Sequence, residues 1–124
     1  HAINRVIDVF PAEQQTQVRT QLSMVLQGVM VQQLLPNKEN TGRVLASEVM
    51  NVNMAIRNLI RESHPEQIYS VLQTSKAEGM MTMNDSLERL YTEGKITWET
   101  MMGHTPNEKE LLRKLKTHKA ASMR

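Results

Sequence analysis

Two largely apolar runs, Val29-Met30-Val31-Gln32-Gln33-Leu34-Leu35 and Arg43-Val44-Leu45-Ala46-Ser47-Glu48-Val49-Met50, flank Pro36 and the polar turn Asn37-Lys38-Glu39-Asn40-Thr41-Gly42. Runs of this kind joined by a short loop containing Gly predict a β-hairpin. The second strand is the clearer one, since the first run also permits the preceding helix to continue for a turn. An isolated two-stranded sheet is marginal in water. The hairpin is therefore a puzzle for a self-contained domain, and would be natural if its edge completed a sheet supplied by residues outside this sequence. Everything else in the chain predicts helix, which makes the class α+β, mainly α.

Helical periodicity begins at once. Ile3, Val6, Ile7 and Phe10 recur at i, i+3, i+4 and i+7, one face of a helix that Pro11 stops. A second helix starts near Pro11, with an apolar stripe of Val18, Leu22, Val25, Leu26 and Val29 and an opposite side rich in Gln. Beyond the hairpin, Asn53 can cap a helix whose Ile56, Leu59 and Ile60 face inward. Pro65 suits the first turn of the next helix, with Ile68, Val71 and Leu72 as its apolar face. Thr82 with Asp85 resembles a capping box ahead of Met83, Leu87, Leu90 and Tyr91, and Gly94 ends that helix. Thr97 can cap a short helix from Trp98 to Met102. Asn107 with Glu110 opens the last one, in which Leu111, Leu112 and Leu115 form the buried side. No internal repeat or low-complexity segment interrupts this order.

Composition narrows the function. The sequence has 124 residues, with 15 Lys+Arg against 13 Asp+Glu, 40% apolar residues, and no Cys. A chain of this length is one small domain or part of a larger one, burying roughly two-thirds of its unfolded surface. Without cysteine there is no disulfide scaffold and no thiolate metal centre. His1, His64, His104 and His118 are scattered and never at i, i+4, so no histidine metal site is expected. No apolar run is long enough for a transmembrane helix. A net charge of +2 argues for neither a nucleic-acid nor a membrane partner. Basic residues do gather near the end (Lys109, Arg113, Lys114, Lys116, Lys119 and Arg124), as a solvated helix face and tail would require. The ten methionines suit irregular core gaps as well as adaptable surfaces. Tyr91 and Trp98 are expected to act as hydrophobic anchors. The opening His1, in mid-pattern and without a leader of the secretory type, suggests a piece of something longer.

No self-sufficient active site is visible. There is neither a GxxxxGK[ST] loop nor a GxGxxG turn. The two aspartates, Asp8 and Asp85, do not follow apolar strands as a magnesium-binding acid of a nucleotide hydrolase would. Ser and His form no nucleophile–base pattern. Catalytic residues are thus expected to be absent from this sequence, and so is a metal site. The densest polar constellation is Ala55-Ile56-Arg57-Asn58-Leu59-Ile60-Arg61-Glu62. Arg57 and Arg61 share a helix face at i, i+4, with Asn58 and Glu62 as a second such pair. Two guanidinium groups so placed can grip carboxylate or phosphate bidentately, or simply form the salt-bridged outer face of an amphipathic helix. Arg5, one residue from the apolar face of the first helix, is the second candidate.

The residues that carry a family likeness are Ile3 to Pro11 (INRVIDVFP), Gln17 to Leu22 (QVRTQL), the octet Ala55 to Glu62 (AIRNLIRE), Gln67 to Ser70 (QIYS), and Gly79-Met80 with Thr82-Met83, in this order. They closely resemble the C-terminal part of the type IV pilus retraction ATPases, the twitching-motility or PilT family. The likeness spans about residues 2 to 100, and the octet is its most specific element. It implies a parent with a PAS-like and a RecA-like domain, forming a homo-hexamer that couples ATP hydrolysis, with Mg, to pilus disassembly at the cytoplasmic side of the inner membrane, alongside the inner-membrane pilus machinery. Residues 1–52 would then end the ATPase core, 53–116 would be a helical subdomain, and 117–124 a tail.

The resemblance also assigns roles. Arg5 matches a family arginine near bound nucleotide, and Ala55, Ile56, Arg57, Asn58, Leu59, Ile60, Arg61 and Glu62 match the retraction motif on a surface helix. The family's histidine-box residue would lie about ten residues before Arg5, ahead of the first residue of this sequence, so His1 is not its counterpart. The nucleotide-gripping lysine, the magnesium-binding acids and the catalytic glutamate fall outside this sequence, so no bound ATP is expected on this piece alone. Where the family commonly has Thr-Pro before the octet, this chain has Asn53-Met54. Asn caps a helix as well as Thr does. The alternatives are a stand-alone helical interaction module, or a piece of a related extension or type II secretion ATPase, which usually carries a cysteine zinc motif and a different octet.

Overall fold

The computed structural model describes residues 2–122, with side chains described to residue 117. His1, Met123 and Arg124 lie outside the described residues, and with them the end of the expected tail. The order is α1 (Ala2–Asp8), α2 (Ala12–Val25), β1 (Gly28–Pro36), β2 (Arg43–Asn51), α3 (Met54–Arg61), α4 (Ile68–Thr74), α5 (Met83–Thr92), α6 (Trp98–His104) and α7 (Glu108–Ser122). Short 3-10 turns over Pro65–Gln67 and Lys76–Glu78 bracket α4. The expected α+β class, one hairpin among helices, is what forms.

The hairpin is antiparallel and two-stranded. Its loop is built on Asn37, whose Oδ1 accepts the backbone N–H groups of Thr41 and Gly42 at 2.8 and 3.3 Å. The Asn37 N–H donates to the Gly42 carbonyl at 3.0 Å, which closes the turn and sets the register. That register carries through to the Val52 N–H on the Gln27 carbonyl at 3.0 Å. Period-two alternation turns Leu35, Ala46 and Met50 inward, while Met30, Leu34 and Leu45 stay exposed. Gly28 permits a close approach here, because a Cβ on it would stand 3.1 Å from the Met50 carbonyl oxygen.

The chain forms two compact units that interleave along the sequence. The first takes residues up to 31 together with 49–81, and the second takes 32–48 together with the residues from 82 onward. In the first, Ile3, Ile7, Met50, Ile56, Ile60, Ile68, Leu72 and Met80 form the buried cluster, with Val18, Leu22, Leu26 and Val29 packed against it. Val49 and Met81, the two ends of its second segment, are joined by a reciprocal pair of backbone hydrogen bonds of 2.8 and 3.0 Å.

Several periodicity expectations need correction. Val25, expected in the stripe of α2, is 66% exposed, and Val29 belongs to β1, because the chain leaves the helix at Leu26 in an extended conformation. On α1 only Ile3 and Ile7 are buried, while Val6 and Phe10 face outward: a helix of seven residues presents just one i, i+4 pair squarely to the core. On α7, Leu111 is buried but Leu112 is exposed. Trp98 is 41% exposed, and it meets Tyr91 edge-on at 5.7 Å. The methionines divide: Met50, Met80, Met83 and Met101 fill the core, whereas Met24, Met30 and Met54 lie on the surface.

Helix ends follow the residues expected to make them. Asn53 Oδ1 accepts the Ile56 N–H at 2.9 Å. Thr82 and Asp85 form a complete capping box, and Asn107 Oδ1 accepts the Glu110 N–H at 3.1 Å. At the C-terminal end of α3, Ser63 adopts φ 63°, with its N–H on the Ile60 carbonyl and the His64 N–H on the Leu59 carbonyl. This is the Schellman closure that glycine favours, and α5 reaches it with Gly94 at φ 74°. Ser63→Gly is expected to raise the stability of the first unit by up to about 1 kcal/mol, since it relieves left-handed strain but gains unfolded-chain entropy. Urea unfolding measures this directly. An unchanged or lowered midpoint would mean that the serine is not strained.

Candidate functional site

The octet Ala55–Glu62 lies on α3, with Glu62 as its C-cap. Its pattern separates on folding. Ile56 and Ile60 are buried at i, i+4, Leu59 packs partly beside them, and Ala55, Arg61 and Glu62 are exposed. Asn53 fixes where the helix begins, and the Ser63 turn fixes where it ends, so which side chains point outward is decided by the caps and by the two isoleucines.

The two arginines do different things. Arg57 is partly buried, and its Nη1 donates to the backbone carbonyl of Ser23, near the C-terminal end of α2. Arg61 is exposed, and its Nη2 donates to Asn58 Oδ1 at 2.8 Å on the same helix. Their hydrogen bonds therefore diverge, although four-residue spacing places them on one flank. Asn58 spends its side-chain oxygen on Arg61, while its backbone carbonyl accepts the Glu62 N–H at 2.9 Å. The outward polar group is Asn58, Arg61 and Glu62, a guanidinium held by a neighbouring amide beside a carboxylate. Just beyond it, His64 Nδ1 lies 3.3 Å from Glu66 Oε1. Arg5 occupies the exposed side of α1, within the same unit.

A second polar assembly went unforeseen. In the second unit Asn84 is fully buried; its Nδ2 donates to the Asn107 carbonyl at 3.1 Å and to Glu110 Oε2, and its Oδ1 accepts the Thr105 hydroxyl at 2.6 Å. Lys114 Nζ bonds Asp85 Oδ1 and lies 3.7 Å from Glu110 Oε1. Nearby, Glu48 Oε1 accepts the Met83 N–H at the start of α5 at 3.4 Å. Burial raises the Glu48 carboxyl above its ordinary range, and that backbone hydrogen bond works against the rise. The Thr82–Asp85 box and the Asn107–Glu110 cap were the sequence signals here. Nothing in the spacing marks Asn84 as buried, and its partners come from residues more than twenty positions away. Among the described residues, no group of His, Cys, Asp or Glu is arranged to hold a metal ion, and no helix is long and apolar enough to cross a membrane.

The chain is 42% identical over 109 residues to a twitching motility protein of Neisseria gonorrhoeae, matching 88% of this chain and 29% of that protein. It is 47% identical over 97 residues to the type IV pilus retraction ATPase PilT of Pseudomonas aeruginosa, matching 78% and 28% respectively. Its fold superposes on a crystal structure of the pilus retraction motor PilT with bound ADP at a TM-score of 0.77 and 48% identity, over 90% of this chain and 31% of that one. The matched region is the C-terminal part of such ATPases. The chain thus spans under a third of the length of these relatives. No family model matches it.

Proposed function

The chain belongs to the PilT family of twitching-motility ATPases, and from that membership we propose that it is the C-terminal portion of a hexameric motor that couples ATP hydrolysis to pilus retraction. The observation that carries this reading is the 48% identity to the ADP-bound retraction motor over nine-tenths of the chain. ATP and Mg would be held by residues outside this sequence, which contains no GxxxxGK[ST] loop. The piece by itself would neither grip nor hydrolyse nucleotide. Arg5 would reach toward nucleotide phosphates from α1. Residues 1–52 would finish the ATPase core, with the exposed Met30, Leu34 and Leu45 of the hairpin covered by the rest of that core. Residues 53–116 would form the helical subdomain, and the motor would work in the cytoplasm against the inner-membrane pilus machinery.

In this reading the octet helix passes domain motion to a partner through its outward polar group. Arg61→Ala in the full-length motor is the test. A charge-assisted hydrogen bond contributes about 1.5–3 kcal/mol, so retraction should fall by about tenfold or more while ATP hydrolysis continues. If hydrolysis and retraction fail together, the helix serves ring assembly or the active site. Wild-type values for both would make it an ordinary solvated face.

A further inference from the structure

We propose that Arg57 is a positioning residue: its guanidinium caps the C-terminal end of α2 and so seats the octet helix, and it is not one of the groups offered to a partner. The proposal rests on the retraction-motor reading for its functional readout, and on the local geometry for its structural one.

A helix leaves its last four carbonyls without intrahelical partners, and they carry the negative end of its dipole. Among the helices here, α3 and α5 deal with this by a left-handed closing residue, Ser63 and Gly94. On α2 the closing residue Leu26 sits at φ −70°, ψ 127°, and the chain departs extended toward β1. The Leu26 N–H satisfies the Leu22 carbonyl at 2.9 Å. Ser23 is the buried residue of α2, and its hydroxyl is already committed to the Thr20 carbonyl at 2.6 Å. The last turn of α2 carries no basic residue of its own. Into that place comes Arg57 Nη1, from a residue 34 positions later, to the Ser23 carbonyl. A cation at this end stabilises the helix by the dipole and by a charge-assisted hydrogen bond at once. Because α2 packs on α1, the helix that bears Arg5, and on α3, the same contact fixes the octet against the element adjoining the nucleotide-side arginine.

This assignment distinguishes Arg57 from Arg61 experimentally. A partner contact that uses the planar guanidinium fork is lost in an Arg→Lys change, whereas a capping cation survives it. A cap can also be replaced from α2 itself. Met24 is 62% exposed in the last turn, so Met24→Lys supplies a cation to the same carbonyl end.

The experiment uses the full-length motor with Arg57→Ala, Arg57→Lys, and Arg57→Ala combined with Met24→Lys. Amide exchange over Leu22–Leu26 and pilus retraction are read for each. Arg57→Ala should exchange about fivefold faster at the end of α2, which is what losing about 1 kcal/mol of capping produces, and retraction should weaken. Arg57→Lys and the Met24→Lys double variant should restore both. Should Arg57→Ala fail to fold, the lysine variant decides the matter alone. Restored protection without restored retraction would make Arg57 a partner contact and overturn the proposal, as would unchanged exchange in Arg57→Ala. If Arg61→Ala proves harmless while α2 protection still tracks the charge at position 57, the retraction role of the octet fails and the cap stands.

Discussion

Truncating Lys114 to alanine should destabilise the second unit by about 3 kcal/mol, the low end for removing one member of a buried ion pair. The side chains of Lys114, Asp85 and Glu110 are 18%, 13% and 10% exposed, which shields them from water and salt alike. Each carboxylate is already committed elsewhere: Asp85 Oδ2 accepts the Thr82 N–H at 3.0 Å in the capping box, and Glu110 Oε2 accepts from the buried Asn84. Neither can swing out to water without abandoning that partner. With the ammonium gone, two like charges remain in a poorly solvated place. Glu110→Gln in the same chain should recover part of the loss, because Gln still accepts from Asn84 and removes one charge. Urea unfolding followed by fluorescence of Trp98 is suited to this, since it is the sole tryptophan and lies in the same unit. A loss below about 0.5 kcal/mol would place the pair among ordinary surface ion pairs.

That network also marks the limit of what the sequence discloses. Local signals were legible wherever a short-range rule controls the outcome: Asn53, Thr82 with Asp85, Thr97 and Asn107 all cap where expected, and the Asn37–Gly42 turn makes the hairpin. Apolar periodicity was less secure: the seven-residue α1 leaves Val6 outside, Val25 lies where α2 gives way to extended chain, and Leu112 of α7 is exposed beside the buried Leu111. Long-range polar contacts left almost no trace. Asn84 with Glu110, and Arg57 with the Ser23 carbonyl, join residues 26 and 34 positions apart, and the second acceptor is a backbone atom that every residue possesses. The octet and its inward Ile56, Leu59 and Ile60 could thus be read from its residues, but Arg57 could not be told apart from Arg61 until the helix had neighbours.

Ile56→Ala is expected to destabilise the first unit by about 2–5 kcal/mol, the range for emptying a buried aliphatic site. Ile56 is fully buried amid Ile3, Ile7, Met50, Ile60, Ile68, Leu72 and Met80, drawn from α1, β2, α3, α4 and the segment before α5. These side chains are held by separate backbone elements, so the space left by the isoleucine cannot close without moving one of them. Ile56→Val removes a single methyl and should lose only about 0.5–1.5 kcal/mol. Arg61→Ala, at an exposed position, should stay within about 0.5 kcal/mol of the parent. Unfolding followed by far-ultraviolet circular dichroism measures all three on one scale. A loss under 1 kcal/mol for Ile56→Ala would mean that the cluster collapses around the gap, contrary to the packing described here. The gradient matters for the motor, because a retraction defect caused by replacing the octet as a whole mixes core loss with lost contact. An Ile56→Ala motor that no longer retracts is therefore silent on coupling. The informative comparison is Ile56→Val against Arg61→Ala: the first should retract, and the second should hydrolyse ATP without retracting.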